Sequence, residues 1–221
     1  MESVDWQFII RRASDEIDAD ARSIEEGNRQ DPNVAVFKGS GRFVGEKTLE
    51  VNGDRISAET ILIAAGARPR VPEISGISDV PYVTSDEALR LPDQPRRLAI
   101  VGGGYIAAEM GHFFGSLGSE VTIIQRGPLL VQQEDQDISR RFTEVFQRKF
   151  NVLLDTLVSR VHGSGDEIVI DVVQDGKTES VVADTLLLAI GRIPNGDLLE
   201  AEQTGVEVDS VGFIQADEYL Q

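Results

Sequence analysis

Near the N-terminus the apolar positions recur at helical spacing. Ile9, Ile10, Ala13, Ile17 and Ala21 have charged residues between them, which predicts an amphipathic helix from about Trp6 to Glu26. After Asp31-Pro32 the period shortens to two. Val34, Val36, Phe43, Leu49 and Val51 alternate with polar residues, and Asn52-Gly53 supplies the left-handed backbone of a tight hairpin, so a β-meander is expected. The run S-A-E-T-I-L-I-A-A-G-A-R-P, from Ser57 to Pro69, then predicts a continuous apolar strand that stops at Gly66.

The same order recurs further on. A strand around Ile168 to Val173 runs into Asp175-Gly176, a second tight-turn dipeptide, and V-A-D-T-L-L-L-A-I-G-R-I-P follows from Val182 to Pro194. Ala58, Thr60, Leu62, Ala64, Gly66 and Pro69 fall on Ala183, Thr185, Leu187, Ala189, Gly191 and Pro194. This internal echo predicts two related units, each closing a meander with a buried strand whose glycine admits a close approach to the backbone.

Between the two echoes the pattern is α/β. Thr84 and Glu87 form a capping box for a short helix ended by Pro92. Leu98 to Val101 reads as a buried strand, followed by a glycine turn, a helix to about Leu117 and a strand from Val121 to Ile124. A further helix is predicted from about Asp135 to Lys149, with Ile138, Phe142, Val145, Phe146 and Phe150 on one face, an acidic start and a basic Arg148-Lys149 end that suit the helix dipole.

The turn carries candidate chemistry. Gly102, Gly104 and Ala107 form G-x-G-x-x-A: one glycine for the tight turn, a second for backbone approach to a pyrophosphate, and a small residue for helix-on-strand packing. The helix start then offers unpaired N–H groups and a partial positive charge to the phosphates. Because the motif follows a strand, opens a helix and leads to a second strand, it predicts a dinucleotide site. Tyr105 and Ile106, inside the same turn, are counted among the cofactor-binding residues. About 20 residues beyond the glycines, where an acidic side chain would meet the 2′-hydroxyl of NAD, the sequence has Gln125 and then Arg126. A neutral residue beside a guanidinium favours NADP over NAD, unless Arg126 is only a solvated charge.

Composition narrows the function classes. The formal charge of −17 and the excess of Asp plus Glu over Lys plus Arg, 38 to 21, exclude the basic footprint that nucleic acid or an anionic membrane requires. Lysine occurs only at positions 38, 47, 149 and 177, and the carboxylates are spread along the whole chain, as on a halophile's solvated surface or an ordinary acidic one. No apolar run approaches a membrane span and no signal pattern opens the chain, so a soluble cytoplasmic protein is expected. Cysteine is absent, which removes any thiolate nucleophile or disulfide, and His112 and His162 show no ligand spacing. No catalytic or metal-ligating residue is expected in this chain.

Taken together, the meander, A-A-G-A-R-P, G-G-G-Y-I-A-A-E and A-I-G-R-I-P-N resemble the glutathione reductase and dihydrolipoyl dehydrogenase family of flavoprotein disulfide oxidoreductases, and the run N-G-D-L-L-E-A-E-Q-T-G-V-E-V is most similar to the mycothione reductase branch. The resemblance implies a Rossmann-like NAD(P)-binding α/β domain with a β-meander over residues 72–195, flanked by parts of an FAD-binding domain of related fold, 1–71 and a return segment 196–221. It implies that Tyr105 lids the nicotinamide pocket, that Glu109 reaches towards the flavin, that Gly191 lies at the nicotinamide side and Arg192 near the flavin, and that Ala65 and Gly66 contact FAD, with Ala65 replacing the usual threonine. The family's own FAD glycine motif, its C-x-x-x-x-C redox pair and its dimerisation domain with a His-Glu pair are absent from this sequence, so the chain reads as a central fragment. The expected whole enzyme is a homodimer passing electrons from NADPH through FAD and a cysteine pair to a small-molecule disulfide. The alternatives are an NAD(P)H-dependent flavoprotein without a disulfide step and a non-catalytic dinucleotide-sensing module.

Overall fold

The computed structural model describes residues 4–220. Its elements, in chain order, are α1 (Trp6–Gln30), β1 (Gly41–Gly45), β2 (Thr48–Val51), β3 (Asp54–Ser57), β4 (Ala67–Pro69), α2 (Ser85–Ala88), β5 (Arg97–Val101), α3 (Tyr105–Ser116), β6 (Glu120–Ile124), α4 (Gln136–Gln147), β7 (Asn151–Leu153), β8 (Leu157–Ser164), β9 (Glu167–Gln174), β10 (Lys177–Ala183), β11 (Thr185–Leu188) and β12 (Arg192–Pro194). The chain divides into two compact units: one holds the residues up to Asp15 with Pro69–Gly191, the other Glu16–Arg68 with Arg192 onwards.

The first unit has three layers built on a four-stranded parallel sheet in the order β11-β5-β6-β7. Strand alternation divides its side chains between two cores. Leu98, Ile100, Ile123 and Leu187 face the helices, where they pack with Ala107, Met110 and Phe114 of α3, Phe146 of α4 and Trp6. Ala99, Val101, Ile124, Leu186 and Leu188 face the antiparallel meander β10-β9-β8 and meet Val161, Ile168, Ile170 and Val172. Each fully buried aliphatic side chain contributes about 1.5–3 kcal/mol relative to exposure. The meander is closed by Asp175-Gly176, both at positive φ (50° and 74°), which is the backbone that a two-residue hairpin requires.

In the second unit β1, β2 and β3 form the expected antiparallel meander, turned at Asn52 and Gly53 with φ of 53° and 92°. The two echoed segments meet, since β4 pairs with β12. Arg68 fixes this join with a forked contact to Asp197, at 2.8 and 2.7 Å, and a bond to Asn195 Oδ1.

Four expectations need correction. Ser57 to Pro69 is not one strand: β3 ends at Ser57, β4 begins at Ala67, and the segment between has no partner strand among the described residues, leaving Leu62 86% exposed. An apolar strand persists only where neighbours take its backbone bonds, and β11, with the same pattern, has β5 beside it. Val34 and Val36 precede the meander rather than join it. The helix begun by Thr84 closes after one turn at Ala88, well before Pro92. On α4 the buried stripe is Ser139, Thr143 and Phe146, and Ile138 points to solvent, so the apolar positions alone misplace the inward face by one residue.

Candidate functional site

The order β11-β5-β6-β7 contains a switch point. From β5 the chain passes through α3 and α4 to β6 and β7 on one side, while β11 lies on the other, and ligands of open parallel sheets sit at the carboxyl ends of the two strands where the order reverses. Here those ends are Val101-Gly102 and Leu188-Ala189, tied by Ala189 N–H donating to Val101 O at 2.8 Å. Gly102, at φ 120°, lies against β11 so closely that a Cβ would stand 2.2 Å from the Ala189 carbonyl oxygen.

At Gly104, the N-cap of α3, the surroundings are the reverse. Its φ is −86° and a Cβ there would meet nothing within 4 Å. No side chain caps the helix, and among the described residues no acceptor takes the N–H of Gly103, Gly104, Tyr105 or Ile106, whereas Gly102 N–H is used by Ile124 O at 2.9 Å. A helix end left without caps is an anion site in waiting. Ala107 is fully buried in the helical core beneath, and Gly191, at φ 119° with open space around it, continues the β11 side of the crevice. Two hollows, about 20 Å³ beside Arg97 and Glu120 and about 400 Å³ beside Gln94 and Leu117, lie at the amino ends of the strands, and the glycine turn lines neither of them.

Gln125, the residue after β6, has its side chain already engaged, donating to Leu129 O at 3.1 Å, while Arg126 is exposed and makes no ion pair among the described residues. Tyr105 is half-exposed and donates to Glu134, whose carboxylate holds the phenol above its ordinary pKa. Glu109 is exposed on α3. The second unit gathers the remaining candidates: Asn195 holds the Ala65 carbonyl through its side chain at 2.9 Å and the Gly66 carbonyl through its backbone at 3.1 Å, and Arg192 donates to Ala67 O. Gly102, Gly104, Tyr105, Ile106, Ala107, Glu109, Gln125, Arg126 and Gly191 thus lie in the first unit, and Ala65, Gly66 and Arg192 at the strand join of the second. Neither histidine belongs to the crevice: His112 contacts Ser116 on α3 and His162 faces Asp171 on the meander. No group of three or more potential ligands is arranged to hold a metal among the described residues.

The loop between β6 and α4 has no counterpart among the expectations. Val131 N–H donates to Gly103 O at 2.7 Å, and this buried, β-branched residue sits at φ 45°, a conformation costing on the order of 1–3 kcal/mol that persists only where its surroundings impose it. Three bonds hold it: Glu134 N–H donates to Val131 O at 3.0 Å, and from α4 Ser139 Oγ donates to the same carbonyl at 2.8 Å while Thr143 Oγ1 accepts from Leu130 N–H at 2.9 Å. The signal that could have found it is the polar pair Ser139 and Thr143, one helical turn apart beside Phe142 and Phe146.

Comparison with known proteins places this geometry among relatives. The family model described as pyridine nucleotide-disulphide oxidoreductase matches residues 9–221. A mercuric reductase of Staphylococcus aureus is 39% identical over 187 residues, covering 84% of this chain and 34% of that protein. A mycothione reductase of Mycobacterium tuberculosis is 38% identical over 227 residues, covering 99% of this chain and 48% of its own. The Cu(II) complex of the HOCl-induced flavoprotein disulfide reductase RclA from Escherichia coli matches with a TM-score of 0.85 at 28% identity, over 96% of this chain and 48% of that one. The chain therefore spans between about a third and a half of these relatives. None of the described helices is long and apolar enough to cross a membrane.

Proposed function

Since the chain belongs to the pyridine nucleotide-disulphide oxidoreductase family, we propose that the crevice at the carboxyl ends of β5 and β11 binds the diphosphate of NAD(P)H, and that the chain is the nucleotide-binding portion of an FAD-dependent disulfide oxidoreductase. The observation that carries the reading is the set of unaccepted N–H groups at the start of α3, opened to the crevice by a glycine with free space around it. These amides hold the diphosphate, Ala107 lets the helix approach the sheet, and Tyr105 and Gly191 border the nicotinamide end. Arg126, exposed and without a described ion-pair partner, takes the 2′-phosphate, so NADPH is preferred to NADH. The nicotinamide, when bound, supplies a hydride.

In the whole enzyme Ala65, Gly66 and Arg192 lie at the flavin, with the second unit, Glu16–Arg68 and the residues from Arg192 on, in its FAD domain, and Glu109 reaches towards the flavin from α3. The electrons pass to a cysteine pair outside this sequence, which has no cysteine, and on to a small-molecule disulfide of the kind for which the mycothione reductase relative is named.

Titration calorimetry of the chain with NADPH, NADH and ADP tests the proposal. All three are expected to bind, NADPH best. Gly104→Ala should abolish most of that affinity without lowering Tm, because the methyl enters only the space reserved for the diphosphate. Arg126→Ala should bring NADPH down to NADH. Absence of binding by every nucleotide would sink the reading, and equal NADPH affinity in the Arg126 variant would remove that residue from it.

A further inference from the structure

The peptide joining Gly103 to Gly104 has a glycine on each side, so nothing in its own sterics fixes its orientation. In a trans peptide the carbonyl and the following N–H point in opposite directions. Whatever holds Gly103 O therefore aims Gly104 N–H. That holder is the N–H of Val131, 2.7 Å away in the loop after β6, and Gly104 N–H on the opposite side of the same peptide meets no described acceptor. The anchor is itself in a conformation that a β-branched residue does not adopt unaided, φ 45°. It is held from its own loop, where Glu134 N–H donates to Val131 O at 3.0 Å, and from α4, where Ser139 Oγ donates to Val131 O and Thr143 Oγ1 accepts from Leu130 N–H while donating to Ser139 O at 2.7 Å. Both hydroxyl residues are buried, at 1% and 3% exposure, so no solvent water replaces a lost bond.

We infer that Ser139 and Thr143 are positioning residues of the nucleotide site, orienting the Gly104 amide towards a diphosphate through Val131 and the Gly103 carbonyl. The inference rests on the crevice being the diphosphate site, and it places part of that site's recognition on a helix that does not line it. Removing either hydroxyl loosens the hold on Leu130-Val131, weakens the bond from Val131 N–H to Gly103 O and widens the orientations open to the Gly103-Gly104 peptide.

The test compares the unmodified chain with Thr143→Val, which keeps the shape, Thr143→Ser, which keeps the hydroxyl, and Ser139→Ala. ADP and NADPH are titrated by calorimetry below the Tm of each variant, and the Gly104 amide is followed by NMR without ligand. Thr143→Val and Ser139→Ala should bind both ligands roughly fivefold more weakly, by a common factor, as for one misaligned hydrogen bond. Their Gly104 resonance should move, and Thr143→Ser should behave as the unmodified chain. A role in folding alone would lower Tm while leaving affinity and resonance in place, and that result overturns the inference. If Ser139→Ala does not fold, the two Thr143 variants decide. Failure of the unmodified chain to bind ADP would instead overturn the site assignment, and this inference with it.

Discussion

Gly102 and Gly104 occupy one turn for opposite physical reasons. A side chain at Gly102 would collide with the Ala189 carbonyl on a backbone already at φ 120°, whereas one at Gly104 would enter unoccupied space on an ordinary backbone. Gly102→Ala is therefore expected to cost on the order of 3 kcal/mol, from overpacking and backbone strain together, and to lower Tm by several degrees in a thermal melt. Gly104→Ala should leave the melt unchanged and act only on nucleotide affinity; equal melting losses in both variants would contradict the distinction. The spacing of these glycines is legible in the sequence because each position answers a local backbone demand. Val131 is not, since its left-handed conformation is held by contacts from its own loop and from α4, and no residue type at that position announces it. Gln125 reads as a neutral stand-in for an acid, but nothing in the sequence indicates that its amide is spent on Leu129 O.

Elements are legible where the pattern is local and obscure where it depends on neighbours. The two hairpin turns and the capping box form as their sequences predict, because their determinants lie within four residues of one another. In that box Thr84 accepts from Asp86 N–H, and Glu87 accepts from both the N–H and the hydroxyl of Thr84. These bonds, led by the one from the Thr84 hydroxyl, hold the Glu87 carboxyl below its usual range. A depressed carboxylate contributes stability that is complete above its unfolded pKa and lost as the pH falls through its folded one. Glu87→Gln should thus flatten part of the acid limb of the stability–pH curve, read by denaturant titration at successive pH values, and Thr84→Ala should cost about 1 kcal/mol. An acid limb identical to that of the unmodified chain would show the box to be energetically idle. The echoed strands illustrate the other case: almost the same residues form β11 beside β5, but an unpaired segment at Ile61–Ala64.

For the whole molecule, charge governs the response to solution conditions. The net −17 is carried by exposed carboxylates, with Asp15, Glu16, Asp20 and Glu26 on α1 alone. At about 0.1 M salt the screening length is about 10 Å, so neighbouring carboxylates repel across the surface; near 1 M it shrinks to about 3 Å. Tm is expected to rise by several degrees between these concentrations of KCl in a calorimetric scan, and a flat response would mean that the acidic surface has no bearing on stability. The composition exposes this at once, whereas the family's full reaction is legible only through motif order, because nucleotide binding and disulfide chemistry involve different stretches of polypeptide.

Leu62 and its neighbours also bear on how the protein behaves in concentrated solution. A row of apolar side chains whose amides and carbonyls no described strand takes up is a template for any passing strand, including the same stretch of another molecule. Light scattering of the purified chain should therefore grow with concentration, and a single lysine at position 62 should suppress it by making such a ladder self-repelling. What the parallel sheet achieves by enclosure, this stretch would have to achieve through charge.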